Sequence, residues 1–216
     1  MRTNRLNRRT FLFLIFDDGY LSHVDTARFL NKMGVRSIFF VSAELGEWQG
    51  LPLLATRLCA MRESVEMGHE VSSRPCTRPH HSECSSKQVS HEMSASKVNT
   101  REATGMDPFG LAYPYGEADP TSRTVTGAHF GCARELFDDD GQPFDLYDLA
   151  VKHFGDKFAF ELLKSRREPS SYVIVIHLMS NNSLGYLPRF TKGLDYMYIL
   201  LIELIRTYLT CGYRDP

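Results

Sequence analysis

The strongest hydrophobic segment of the chain lies near its start and ends in two adjacent acids. Six apolar residues, Phe11 to Phe16, are followed directly by Asp17, Asp18 and Gly19. A short apolar run bounded by a turn signal predicts a buried strand of a parallel sheet. Gly19 permits the sharp turn that must come next. The pattern therefore predicts two carboxylates at the carboxyl end of a buried strand.

Apolar periodicity along the rest of the chain predicts strands that alternate with helices. Ser22 or Asp25 is expected to cap the first helix. The predicted helices cover 24–33, 53–67, 86–104, a segment opening at 119 or 121, 156–167 and 193–209. The predicted strands after the first cover 35–42, 69–72, 109–113, 129–133 and 172–176, and residues 72–86 form a polar loop. This order is typical of βα units around a parallel sheet.

Length and composition narrow the class of protein. A chain of 216 residues with 43% hydrophobic and 24% charged residues is expected to form one globular domain, here 11–216, after a basic, flexible tail at 1–10. The net charge of −1 argues against a nucleic-acid surface. The first apolar run is too short for a signal peptide, and the apolar segment near the C-terminus is too short and charged to span a membrane. We expect a cytoplasmic protein whose five cysteines, with no CxxC pair, stay reduced.

Candidate chemistry collects where predicted strands end. Three features each follow a predicted strand: the acids Asp17 and Asp18, the turn at 113–116, and His177. They should therefore converge on one face of the sheet. A base, a metal-binding carboxylate, backbone N–H groups and a histidine acid suffice to hydrolyse an amide or ester. Each feature alone also suits a structural role: a capped loop, a simple turn or a buried histidine. Their joint order favours a catalytic site.

The first segment, FLFLIFDDGY, resembles the motif Thr-Phe-Asp-Asp-Gly of the polysaccharide deacetylases, the NodB-homology family or carbohydrate esterase family 4, with Ile15 at the threonine position. The resemblance runs from Phe11 to Tyr213. It implies an α/β fold, a distorted and incomplete (β/α) barrel. It also implies hydrolysis of a carbon–nitrogen bond, the removal of acetyl groups from N-acetylated oligo- or polysaccharides, with a divalent metal such as zinc as cofactor.

The resemblance also assigns roles. It makes Asp17 the catalytic base, Asp18 a metal ligand and His177, in the fifth motif, the catalytic acid. Residues 112–116, AYPYG, resemble the third motif, Arg-Pro-Pro-Tyr-Gly, in which the backbone N–H of the Tyr115 position binds the oxyanion. Its neighbours in that oxyanion and substrate turn are Pro114 and Gly116. The motif's arginine is Ala112 here and its first proline is Tyr113.

The second motif departs from the family pattern. Residues 68–71, GHEV, match its start, but the two histidine ligands that should follow fall on Arg74 and Arg78. Arginine stays protonated and has no lone pair for a metal. The fourth motif also differs, with Asp148 where the family has arginine.

Three explanations remain open for the second motif. Arg74 or Arg78 could pair with Asp17 or Asp18 where a cation once sat. A rearranged metal site could instead use His80, His81 or Cys76, or residues 72–86 could reflect a local error of the reading frame. The functional alternatives follow: a metal-dependent deacetylase, a catalytically silent carbohydrate-binding protein on the same scaffold, or an amidase with a non-sugar substrate. The sequence does not specify the sugar polymer, the acyl group or the oligomeric state.

Overall fold

The computed structural model describes residues 10–134, and beyond them the backbone of two strands, at 171–176 and 196–198. The predicted tail up to residue 9, the predicted helix at 156–167, Asp148 and His177 lie outside the described residues.

The described part of the chain contains nine strands and four α-helices. The strands are β1 Thr10–Phe16, β2 Ile38–Val41, β3 Glu47–Trp48, β4 Leu51–Pro52, β5 Glu70–Ser73, β6 Gly110–Ala112, β7 Cys132–Arg134, β8 Ser171–Ile176 and β9 Tyr196–Tyr198. The helices are α1 His23–Lys32, α2 Leu58–Glu66, α3 Ser86–Thr104 and α4 Pro120–His129.

Seven of the strands form one parallel sheet in the order β7-β6-β5-β2-β1-β8, with β9 also beside β1. Strands β3 and β4 form a separate antiparallel hairpin. Because the large sheet is parallel and its crossovers carry helices, it is an incomplete (β/α) barrel, as predicted. The carboxyl ends of β1, β5, β6 and β7 therefore open toward one edge.

Two apolar clusters hold the helices against the sheet. The larger joins β1 and β2 to α1 and α2 through buried residues such as Phe16, Leu30, Phe39 and Met61. The smaller joins α3 and α4 to β6 and β7 around Met93 and other residues. Within the described residues, no helix is long and apolar enough to cross a membrane.

The helix predictions are partly confirmed. Helix α3 runs over 86–104 as predicted, because a capping box of Ser85 and Gln88 starts it and Gly105, at φ 76°, ends it. The helix predicted over 53–67 is divided: a 3-10 turn at Leu54–Thr56 precedes α2, with Arg57 outside helical geometry (φ −141°, ψ 77°). Ser22 holds the N-cap position of α1, as one of the two proposals had it, but its side chain makes no capping hydrogen bond, and Asp25 lies inside the first turn.

The helix predicted over 193–209 is wrong at 196–198, where Tyr196–Tyr198 forms β9 beside β1. Apolar periodicity alone does not separate a buried helix from a short strand, and tyrosine favours strands. The hairpin of β3 and β4 was also not predicted.

The turn after β1 depends on Gly19. Its φ is 70°, and a Cβ on it would lie 2.9 Å from Val41 Cγ1 and 3.1 Å from the Cα of the same residue. This glycine therefore lets the acidic turn lie directly against β2.

We predict that Gly19→Ala destabilises the fold more than Gly34→Ala. Both glycines have a similar positive φ, but a Cβ at Gly34 would meet nothing within 4 Å. Each change costs about 1–2 kcal/mol for a left-handed alanine, and Gly19→Ala adds roughly 1–3 kcal/mol of overpacking. Urea unfolding of the two variants measures the difference, and equal losses would contradict the close approach.

Candidate active site

Asp17 and Asp18 leave the carboxyl end of β1 as two buried carboxylates. Their residues are 0% and 2% exposed. Asp18 has φ 71° in the left-handed region, which aspartate enters more readily than most residues. The two acids are therefore adjacent, buried and held by a tight turn.

Arg74 bridges both carboxylates. Its Nη1 lies 3.0 Å from Asp17 Oδ2 and 2.9 Å from Asp18 Oδ1, and the residue is 1% exposed. Arg74 follows β5 directly, and its backbone N–H donates to Val41 O at 2.8 Å. This bond continues the ladder between β2 and β5, so the strand pairing aims the guanidinium at the acids.

Arg78 adds a second cation to Asp18. Its Nη1 lies 2.5 Å from Asp18 Oδ1, and its guanidinium carbon lies 4.0 Å from the centre of the Trp48 ring. The hairpin of β3 and β4 supplies that ring. Arg78 has φ 56°, an uncommon conformation for a long side chain, of the kind that clusters at functional sites.

Arg134 adds a third cation that sequence reasoning missed. Its Nη2 donates to Asp17 Oδ1, and its guanidinium lies over the Phe40 ring at 4.9 Å. The residue is the last of β7 and is 2% exposed. A charged residue directly after the predicted strand at 129–133 was the available signal. Trp48 and Tyr20 were missed as well.

Among the described residues, this cluster places three guanidinium groups against two carboxylates. Burial lowers the pKa of both Arg78 and Arg134 from the ordinary arginine value, and the aspartates oppose that shift. Burial and then the Asp18 charge raise the pKa of Tyr20, which is hydrogen-bonded to Asp18. The aspartates therefore lie in a buried environment dominated by positive charge.

This arrangement does not fit a divalent metal at Asp17 and Asp18. Their oxygens face guanidinium nitrogens, which cannot act as ligands. In residues 10–134 no group of three or more histidine, cysteine, aspartate or glutamate side chains could hold a metal. The rearranged site also finds no support there: His80 stacks on Tyr115, His81 packs against the Tyr113 ring and Cys76 hydrogen-bonds with Asn99.

The turn at Pro114–Gly116 lies beside Arg74. Arg74 Nη2 donates to Tyr113 O at 3.4 Å, which connects the turn to the aspartates. Tyr115 has φ 57° and is 39% exposed, while Pro114 and Gly116 are buried. The Tyr115 ring stacks on the His80 ring, with the ring centres 3.8 Å apart and an interplanar angle of 8°. The structure thus brings the turn, both aspartates and both predicted arginines to one edge of the sheet.

His177 lies outside the described residues, so its place in the site stays a prediction. The strand before it, β8, pairs with β1 in parallel, and its last residue, Ile176, is in register with Phe16.

Comparison with known proteins identifies the family of the chain. The sequence profile of the polysaccharide deacetylase domain matches residues 5–129, more than half of the chain. No curated protein matches the sequence.

Solved structures match the fold. A family 4 carbohydrate esterase from Streptomyces lividans, in complex with acetate, has 20% identity and a TM-score of 0.68, over 88% of this chain and 92% of that one. A family 4 pseudoenzyme from Bacillus anthracis has 15% identity and a TM-score of 0.64, over 89% and 65%. A mutant of that pseudoenzyme, described as having restored enzymatic activity, has 15% identity and a TM-score of 0.67, over 92% and 68%.

The fold and the profile therefore define a carbohydrate esterase scaffold. The chain belongs to the polysaccharide deacetylase family.

We predict that Arg74→Met lowers the free energy of unfolding by about 3 kcal/mol, the lower end for breaking a buried ion pair, because Arg78 and Arg134 still hold the aspartates. Arg28→Met is the matched control, since Arg28 pairs with Glu63 at 2.7 Å on the surface, where solvent screens the pair. Guanidinium unfolding of both variants is the measurement. A loss from Arg74→Met no greater than the control's would show that the bridge contributes nothing.

Proposed function

We propose that the chain is a polysaccharide deacetylase-like protein whose substrate class is N-acetylated oligo- or polysaccharide. The reaction is hydrolysis of the carbon–nitrogen bond of the acetamido group. Family membership and the shared fold support this substrate class. The single observation that carries the proposal is the pair of acids retained at the end of β1, next to the turn at Pro114–Gly116.

In this proposal Asp17 takes a proton from the attacking water as general base, which requires the water to reach a carboxylate that Arg74 and Arg134 now contact. Tyr115 presents its backbone N–H to the developing oxyanion, and Pro114 and Gly116 hold that turn. His177 gives a proton to the leaving amine. Asp18 is the carboxylate that would be left for a metal.

A specific observation favours a second candidate, a catalytically silent carbohydrate-binding protein. Arg74 and Arg78 contact the carboxylate oxygens that a metal would need, at 2.5–3.0 Å. A guanidinium supplies positive charge but no coordination position for water or substrate. The Bacillus anthracis pseudoenzyme gives this second candidate a precedent on the same fold.

Acetate release from a chitin oligomer separates the two candidates. The purified protein is assayed after mild chelation, with and without added zinc or cobalt, and oligomer binding is measured by calorimetry. Acetate release that Asp17→Asn abolishes supports the hydrolase. Oligomer binding without release, indifferent to metal, supports the silent protein, and neither binding nor release with any N-acetylated oligomer contradicts both.

We predict that the double change Arg74→His, Arg78→His creates zinc binding and some acetate release. Two imidazoles with the Asp18 carboxylate make a three-ligand set, the number that catalytic zinc sites use. The change also frees Asp17 and Asp18 from two of the guanidinium groups. Zinc titration followed by the acetate assay measures both effects.

The matched control is Arg74→Met, Arg78→Met, which removes the same charges without adding ligands. Asp17→Asn in the histidine background tests the base. Tight zinc binding without acetate release would mean that the substrate site has also changed. Neither zinc nor acetate would contradict the assignment of positions 74 and 78 to the ligand motif.

A further inference from the structure

Arg134 is a buried arginine that no motif of the sequence predicts. It ends β7, is 2% exposed, donates from Nη2 to Asp17 Oδ1 and rests on the Phe40 ring. We infer that Arg134 is a positioning residue for Asp17. From the end of β7 it takes the place of the third-motif arginine, which would stand at the end of β6, where this chain has Ala112. The inference rests on the proposed role of Asp17 as base.

The sheet register places Arg134 beside the position where the third motif has its arginine. Ala112, at the end of β6, is in register with Arg134. Registered residues of parallel neighbours point to the same face, with their strands about 4.8 Å apart. The motif that residues 112–116 resemble has arginine where this chain has Ala112, whose side chain is fully buried. An arginine lost from one strand end is thus matched by one on the adjacent strand end.

The two oxygens of Asp17 are held by different arginines. Arg134 binds Oδ1, whereas Arg74 binds Oδ2 and shares its guanidinium with Asp18. The hydrogen bond from Arg134 and the Arg74 charge beside the other oxygen together limit the rotation of the carboxylate about the Cβ–Cγ bond. Phe40 packs against the Arg134 guanidinium and limits its freedom in turn. Arg134 would therefore still orient Asp17 after Arg74 is replaced.

A second-site swap tests this inference without substrate. Arg134→Ala should lower the Tm of the full chain by roughly 6–12 °C, the usual effect of breaking a buried ion pair in a chain of this size. Adding Ala112→Arg to that variant should recover most of the loss. Ala112→Met in the same background, which supplies length without charge, should not. Equal recovery by methionine, or no recovery by arginine, would overturn the inference.

A kinetic readout separates positioning from mere stabilisation. In the Arg74→His, Arg78→His background, Arg134→Ala should lower kcat about a hundredfold, the effect of a roughly 1 Å misplacement, and leave KM and zinc affinity unchanged. Ala112→Arg should restore kcat, and Arg134→Lys should restore part of it because lysine keeps the charge but not the planar fork. A higher KM or a weaker zinc affinity, with kcat unchanged, would contradict a positioning role for Arg134.

The two tests fail in distinguishable ways. Absence of acetate release from the Arg74→His, Arg78→His protein itself contradicts the proposed function, and the Tm swap then still shows whether an arginine at position 112 can replace the Arg134 contact with Asp17. Failure of the swap with acetate release intact contradicts this inference alone.

Discussion

The contact on which the site depends is the Arg74 guanidinium between the two carboxylates of β1. Two neighbouring acids that are 0% and 2% exposed would be strongly unfavourable without a buried counter-charge. Arg74 supplies it at 2.9–3.0 Å and also donates to the carbonyl of Tyr113. One side chain therefore connects the ends of β1, β5 and β6. The acidic turn, the loop that carries Arg78 and the turn at Pro114–Gly116 are all arranged around it.

The arginine bridge neutralises the two carboxylates without providing coordination positions, whereas a metal would do both. A divalent cation between carboxylates neutralises them and also offers open positions for water and substrate. A guanidinium neutralises them but offers only hydrogen-bond donors, fixed to the chain. A guanidinium can therefore keep the two acids buried at the end of β1 without a metal.

Local signals explain what the sequence predicted well. The apolar run before Asp17 predicted β1, and a helical pattern that ends at Gly105 predicted the bounds of α3. Because strand ends of a parallel sheet share one edge, the meeting of Asp17 and Asp18 with the turn at Pro114–Gly116 followed from the strand assignment. The carbohydrate esterase scaffold followed from the motif Asp-Asp-Gly and the order of the elements after it.

The missed features depend on contacts between distant residues. Arg134 meets a partner 117 residues earlier, and only the register of β6 with β7 brings it there. Trp48 reaches Arg78 through a hairpin of two-residue strands that leaves almost no periodic signal. Strand β9 was mistaken for helix because its pairing with β1 outweighs the local pattern. Propensity describes neighbours in the chain, whereas these contacts are fixed by the sheet.

The arginine bridge is tested most directly by a crystal structure of the unmodified protein grown with excess zinc, with diffraction recorded at the zinc absorption edge. We expect guanidinium density from Arg74 between the carboxylates of Asp17 and Asp18, and no anomalous peak at that position. An anomalous peak between the two carboxylates, with the arginine side chains displaced, would contradict it.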